Sequence, residues 1–235
     1  MLAELKESVW KANLDLAKSG LVILTFGNVS GLDRRRGIVA IKPSGVSYDG
    51  LKADDIVLVD LDGNVVEGWL NPSSDTPTHV EIYKAFPEVG GVAHAHSPYA
   101  TMFAQARREI PCFGTTHADH FHGPVPLTRL PVEAEVASAY ELNTGKIIVE
   151  RFAGLDPLAL KAVLVAGHGP FAWGRTPAEA VETALVLEQT AKMAFGTMAL
   201  DPRLSPLDAC IQDKHFSRRH GPGAYYGQDK KEGHD

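Results

Sequence analysis

The residues best suited to chemistry in this chain are His94 and His96, which close the apolar run Gly90-Gly91-Val92-Ala93. On a strand, side chains two apart share a face, with bases roughly 6.5 to 7 Å apart, so two imidazoles can converge on one metal ion. A third candidate, His168, ends a second apolar run, Ala162-Val163-Leu164-Val165-Ala166-Gly167. The recurrence points to one site assembled from two strands. Zinc accepts His nitrogen and carboxylate oxygen, and catalytic zinc sites combine three protein ligands with an open position. His94, His96 and His168 would supply three. The chelating pair alone would equally serve a hydrolase, an oxygenase or a structural site. A rival pair, His120 and His122 in His117-Ala118-Asp119-His120-Phe121-His122, has no apolar strand behind it and reads as a loop of site-lining or surface histidines.

Three further segments suit an anion: Gly27-Asn28-Val29-Ser30, Lys42-Pro43-Ser44-Gly45 and Ser73-Ser74. They offer exposed backbone N–H groups, hydroxyls and one ammonium, the donors a terminal phosphate needs. Each alone could be an ordinary turn, since Gly, Asn, Ser and Pro fill turns.

The elements that must carry these residues follow from periodicity. Leu2, Leu5, Val9, Leu14 and Leu16 give an amphipathic opening helix that stops at Ser19-Gly20. Strand-like runs follow at 21–25, 29–32, 38–42 and 56–61, the last meeting Val65-Val66 through the hairpin signal Asp62-Gly63. Arg34-Arg35-Arg36-Gly37 falls where a solvated hairpin turn belongs. Thr76 is expected to cap a helix with Pro77 at its first position, leaving Asp75 just outside and facing the loop. The strand to His96 leads into a helix over 98–107 and then a polar, His-rich loop over 114–123. Residues 132–142 read as helical, while 145–152 suits either element. The strand to His168 continues through 169–174, a long helix capped by Thr176 covers 177–200, and a last helix covers 205–218.

Composition bounds the rest. The chain has 235 residues, 44% hydrophobic and 22% charged, which reads as one folded domain over 1–227 with a disordered tail over 228–235. A net charge of -6 without a basic cluster argues against a nucleic-acid partner. Two cysteines in unlike contexts favour a reducing compartment, and no apolar run reaches membrane-spanning length, so no membrane partner and a cytoplasmic location are expected.

In order and spacing, Gly27-Asn28-Val29-Ser30, Lys42-Pro43-Ser44-Gly45, Ser73-Ser74-Asp75-Thr76-Pro77-Thr78-His79, His94-Ala95-His96-Ser97, Gly114-Thr115-Thr116-His117-Ala118-Asp119, His168-Gly169-Pro170-Phe171-Ala172-Trp173-Gly174 and Asp213-Lys214-His215 through Ala224-Tyr225-Tyr226-Gly227-Gln228 strongly resemble the L-ribulose-5-phosphate 4-epimerases of the class II aldolase superfamily. The resemblance implies an α/β fold, a single three-layer α/β/α domain around a central mixed, mostly antiparallel sheet. It implies zinc ligands Asp75, His94, His96 and His168, one ion per subunit, with manganese or cobalt able to substitute. Phosphate and substrate contacts would be Gly27, Asn28, Lys42, Ser44, Gly45, Ser73 and Ser74. Asp119 and Tyr226 would form the acid/base pair, supported by Thr115, Glu141, His215 and Arg218. Family members are cyclic homotetramers with sites between subunits, so Tyr226 would act in a neighbour's site. His120 and His122 depart from the pattern, standing where aromatic residues are expected.

The implied reaction interconverts L-ribulose 5-phosphate and D-xylulose 5-phosphate. The inverted carbon, C4, is not adjacent to the carbonyl, so its proton is not acidic and simple enolisation cannot invert it. Retro-aldol cleavage to an enediolate and glycolaldehyde phosphate, followed by re-addition to the other face of the aldehyde, can. The metal acts as Lewis acid, and two different groups must handle protons on the two faces. Aspartate at position 75, where the related fuculose-type aldolases are expected to carry glutamate, favours epimerisation over net cleavage. The alternatives are a metal-dependent aldolase and a non-catalytic interaction protein on the same fold.

Overall fold

The computed structural model describes residues 2–227. The opening helix α1, Leu2–Lys18, buries Val9, Ala12 and Leu16. Strands β1, Asn28–Asp33, and β2, Ile38–Ile41, form a hairpin around the arginine turn, and β3, Val57–Asp60, and β4, Val65–Glu67, form the next. Helix α2, Thr76–Ala85, leads to β5, Gly91–His94, and then to α3, Pro98–Gln105. A short α4, Thr115–Ala118, precedes α5, Glu133–Arg151. Strands β6, Ala162–Leu164, and β7, Pro170–Gly174, make a hairpin, followed by α6, Pro177–Leu200, and α7, Ala209–Arg219.

The seven strands form one sheet in the order β4-β3-β2-β1-β5-β7-β6. The mostly antiparallel sheet expected is present, and every ladder in it is antiparallel. Parallel pairing occurs among the described residues only as an isolated bridge from Leu127 to Leu164.

The strand period of two separates the layers. Gly31 faces α1 and α6: a Cβ there would stand 2.9 Å from Val9 and 2.8 Å from Pro177, so only glycine lets both helices approach β1 this closely. Its neighbour Ser30 points to the opposite face, where its hydroxyl meets Tyr83 and His79 of α2. Helix α5 packs on α2, and α3 on α6. Trp173 on β7 is fully buried against Phe86 and Phe152, with ring centroids 5.4 and 5.0 Å away. It donates to the Pro157 carbonyl at 2.7 Å, which satisfies the indole N–H a buried tryptophan must pair.

Several boundaries differ from the sequence expectations. Residues 21–25 are not a strand: Leu21 is buried in the core, but Ile23 and Phe26 close a turn, Leu24 takes a φ of 55°, and these last three side chains are exposed. Strand β5 ends at His94 and leaves His96 beyond it, while His168 sits in the β6–β7 hairpin turn. Asp75, not Thr76, occupies the cap position of α2, and its side chain makes no cap bond. Segment 114–123, expected as a polar loop, contains α4 and buries His117, Ala118, Asp119 and Phe121, while His122 is exposed. Segment 145–152 is helical, the second half of an α5 that breaks at Ala139. Helix α7 begins at Ala209 rather than 205. Arg34 is more than a solvated turn residue: its guanidinium donates to the carbonyls of Tyr83, Phe86 and Val89, satisfying groups left open at the end of α2. The tail over 228–235 lies outside the described residues.

Candidate functional site

At the end of β5, the sheet directs His94 toward the α2 face. Phe171, its partner across the β5–β7 ladder, stacks on the imidazole at 4.1 Å with 16° between planes and fixes its tilt. His94 Nδ1 donates to the Pro170 carbonyl at 2.8 Å, which leaves Nε2 as the nitrogen with a free lone pair. The extended segment after β5 carries His96 back to the same point, and the hairpin turn brings His168. Ring centroids of the three histidines are 4.8, 4.9 and 5.0 Å apart, and one nitrogen from each lies within 4.8 Å of the others.

Three imidazoles this close fit a metal ion. The Nε2 atoms of His94 and His96 are 3.2 Å apart, and His168 Nδ1 is buried without a hydrogen-bond partner among the described residues. Burial, then the neighbouring imidazoles, pushes the His168 pKa down to about 4, and burial with His94 lowers that of His96. Their ring nitrogens are therefore neutral near pH 7, the state a metal ligand needs.

Asp75 stands beside this triad rather than within it. It is not part of the group whose ligand atoms share the 4.8 Å radius, and its Oδ2 accepts from Asn28 Nδ2 at 2.7 Å. Burial works against its charge, but His94, His79, the Asn28 hydrogen bond and His168 outweigh it and hold the carboxyl below its ordinary range. Beneath lies a buried chain in which Ser30 binds His79 Nδ1 at 2.7 Å and the Tyr83 hydroxyl at 2.8 Å.

The triad opens into a cavity of about 400 Å³ lined also by Gly27, Asn28, Lys42, Ser44, Gly45, Ser73, Ser74, Asp75 and Glu141. All three anion-suited segments thus converge on the histidines. Gly27 has a φ of 122°, and a Cβ there would lie 2.8 Å from Val22, so the loop closes over β1 only with glycine. Lys42 is buried, with Nζ 4.7 Å from the Tyr48 ring centroid and 3.4 Å from the Pro43 carbonyl, and no carboxylate among the described residues pairs with it. Burial pushes its pKa down to about 8. It is a desolvated cation facing donors that suit a phosphate.

The remaining candidates form a second group that does not line this cavity. Asp119, at the end of α4, accepts from Arg218 Nε at 2.7 Å and lies 3.1 Å from His215 Nδ1. Burial raises its carboxyl, but the Arg218 and His215 hydrogen bonds prevail and hold it below the usual range. Tyr226 lies with its ring face 4.9 Å from the Arg218 guanidinium and is 57% exposed; Thr115 is exposed as well. His215 and Arg218 therefore both stand on Asp119; of these two Arg218 also touches the tyrosine, whose ring Arg219 covers at 4.7 Å. His120 accepts from Arg219, and His122 pairs with Asp213 at 2.7 Å, away from the triad.

Sequence reading missed Thr25, Phe26 and Tyr140, all of which line the cavity. The ring of Phe26 lies 6.3 Å from that of His96, and that of Tyr140 lies 6.3 Å from that of His168. Burial raises the Tyr140 phenol, with Glu141 and Asp75 adding to the rise and a Thr144 hydrogen bond opposing it.

Residues 7–195 match the model of the class II aldolase and adducin N-terminal domain family. The chain is 52% identical over 227 residues to the L-ribulose-5-phosphate 4-epimerase UlaF of Salmonella paratyphi C, covering 97% of this chain and 100% of that protein. The Salmonella choleraesuis protein of the same name matches equally. Among solved structures, an L-fuculose 1-phosphate aldolase superposes with a TM-score of 0.77 at 26% identity, covering 92% of this chain and 95% of that one. YgbL of Klebsiella pneumoniae, described as a putative aldolase/epimerase/decarboxylase, gives 0.70 at 26% identity, covering 90% and 97%. The chain belongs to the class II aldolase and adducin N-terminal domain family, among its L-ribulose-5-phosphate 4-epimerases.

Proposed function

We propose that this protein interconverts L-ribulose 5-phosphate and D-xylulose 5-phosphate by breaking and remaking the C3–C4 bond. The observation that carries the reading is the convergence of His94, His96 and His168 with the serine loops and the buried Lys42, which no carboxylate among the described residues pairs, on one cavity, in a chain 52% identical to proteins named for this reaction. A divalent ion, zinc by the nitrogen and carboxylate donor set, would be held by His94, His96 and His168, with Asp75 beside them as a further carboxylate donor, and would supply Lewis acidity toward oxygen atoms that gain negative charge.

The chain's own residues do the rest. Lys42, Ser44, Gly45, Ser73 and Ser74 hold the phosphate, so the aldehyde fragment can turn over without leaving. Asn28 fixes Asp75. Asp119 and Tyr226 carry the proton between the C4 oxygen and the protein on opposite faces of the aldehyde, one accepting it at cleavage and the other returning it after re-addition. Both stand apart from the cavity within one chain, so we place them in the cavity of a neighbouring subunit, as a cyclic homotetramer would allow. The free cysteines, buried Cys112 and exposed Cys210, suit the reducing cytoplasm; no described helix is long and apolar enough to cross a membrane.

The test is incubation of the metal-loaded protein with L-ribulose 5-phosphate, followed by ³¹P and ¹³C NMR. Equilibration with D-xylulose 5-phosphate without free fragments is expected. Accumulation of glycolaldehyde phosphate and dihydroxyacetone would overturn the reading in favour of net aldol cleavage.

A further inference from the structure

Helix α5 breaks at Ala139, where φ is -150° and ψ 76°, immediately before Tyr140 and Glu141. The break is built in. Asn143 Nδ2 donates to the Glu135 carbonyl at 2.9 Å and to Ser138 Oγ at 3.2 Å, and Ser138 Oγ donates to the Ala134 carbonyl at 2.8 Å. These side chains satisfy backbone carbonyls beside the interruption, as kinks in helices require. From the other side, Thr78 of α2 donates to the Glu141 carbonyl at 2.6 Å and ties the residue after Tyr140 to the element that begins beside Asp75. The interruption thus sets the direction of two consecutive residues, and both wall the cavity.

Resting on the epimerase reading, we propose that Tyr140 determines substrate specificity by donating a hydrogen bond to the hydroxymethyl group at the unphosphorylated end of the ketose. The phosphate end is accounted for by Lys42 and the serine loops, and the reacting oxygens belong beside the histidines. The C1 hydroxyl is attached next to the carbonyl carbon, so its partner must border the triad. Tyr140 meets that demand, its ring centroid 6.3 Å from that of His168. A phenol brings a donor on a stiff ring, and a site that pairs a substrate hydroxyl rejects the analogue lacking it far better than an apolar wall does.

The experiment compares D-xylulose 5-phosphate with 1-deoxy-D-xylulose 5-phosphate, titrated calorimetrically into the metal-loaded wild type and into Tyr140→Phe. Metal content and Tm of the variant are checked first. The wild type is expected to prefer the hydroxylated sugar by roughly 10- to 100-fold, and Tyr140→Phe to lose most of that preference by weakening for this sugar alone. A wild type that binds both sugars equally overturns the proposal, as does a variant that keeps the full preference. If the wild type epimerises L-ribulose 5-phosphate while Tyr140→Phe discriminates unchanged, the specificity role alone falls. If the wild type binds neither sugar, the epimerase reading falls and takes this role with it.

Discussion

Asn28 holds Asp75 by a 2.7 Å hydrogen bond from its amide, and the same nitrogen lies 3.1 Å from Ser73 Oγ. One side chain on β1 therefore joins the serine loop proposed for phosphate to the carboxylate beside the candidate metal site. A hydrogen bond to a charged group is worth about 1.5–3 kcal/mol, so Asn28→Ala should lower kcat/KM by roughly 10- to 100-fold. Steady-state kinetics on a variant whose melting shows it folded will check this. A kcat/KM within twofold of wild type would remove Asn28 from the site's working parts.

If Lys42 meets the substrate phosphate, as proposed, binding must depend on pH. Burial brings its pKa down to about 8, so the ammonium is present at pH 7 and lost as pH rises through about 8 in the free protein. A bound phosphate favours the charged form, so binding above that pH must take up a proton and weaken accordingly. Inorganic phosphate, measured as a competitive inhibitor from pH 7 to 10, should weaken progressively above pH 8. In Lys42→Met it should bind much more weakly and lose that alkaline limb. A flat wild-type profile would show that the anion does not meet this lysine.

Metal removal should be visible in stability as well as activity. An ion that binds only the folded state at 1,000 times its dissociation constant adds about 4 kcal/mol, and for a chain of this size that corresponds to a Tm rise of roughly 8–16 °C. Chelation should reverse the rise, and His168→Ala should cut metal content measured by mass spectrometry while keeping the fold. Wild type that retains its Tm and activity after complete chelation would contradict the triad's role.

How much of this was legible in the sequence depended on distance along the chain. His94 and His96 sit two residues apart, so strand period paired them, and the recurring apolar run before His168 pointed to one shared site. The period was nevertheless applied too far, because β5 stops at His94 and His96 arrives by an extended segment outside the ladder. Gly27, Lys42 and Ser73 are separated by many residues, and only the sheet brings their loops to one cavity. The turn at 23–26 was misread as strand because period 2 registers apolarity without burial, and Leu24 is 79% exposed. Tyr140 was missed because the break at Ala139 rests on Asn143 and Ser138 bonding to carbonyls, with Thr78 on another helix holding the far side. Two poor helix formers in mid-helix were the available signal.

Acid should destabilise the chelated protein through histidines buried in the neutral form. Burial pushes His79 down to about 3 and His117 to about 4, against an ordinary value near 6.5. As pH falls below 6.5, the unfolded chain binds protons that the folded one refuses, so stability present above pH 6.5 is lost progressively toward pH 4. His117 alone, buried with Nε2 on the Gly123 carbonyl at 2.8 Å, accounts for about 3 kcal/mol. Thermal melts from pH 7.5 to 4 should show a falling Tm, with a shallower slope in His117→Gln. An unchanged Tm across that range would mean these rings find protons in the folded state.

The separation of Asp119 and Tyr226 from the histidine cavity gives the most direct test of assembly. Asp119 is clamped by Arg218 and His215, and Tyr226 is 57% exposed over the Arg218 guanidinium, so within one chain neither lines the cavity. If the acid/base group of one subunit completes the metal cavity of the next, His96→Ala and Tyr226→Phe damage different halves of each shared site. Each variant alone should be nearly inactive. In a cyclic assembly with heterologous contacts, mixing the two after reversible dissociation should regenerate intact sites at about one quarter of the wild-type number. A site contained within one chain predicts no recovery at any mixing ratio, so the activity of the mixture decides whether the two groups meet across subunits.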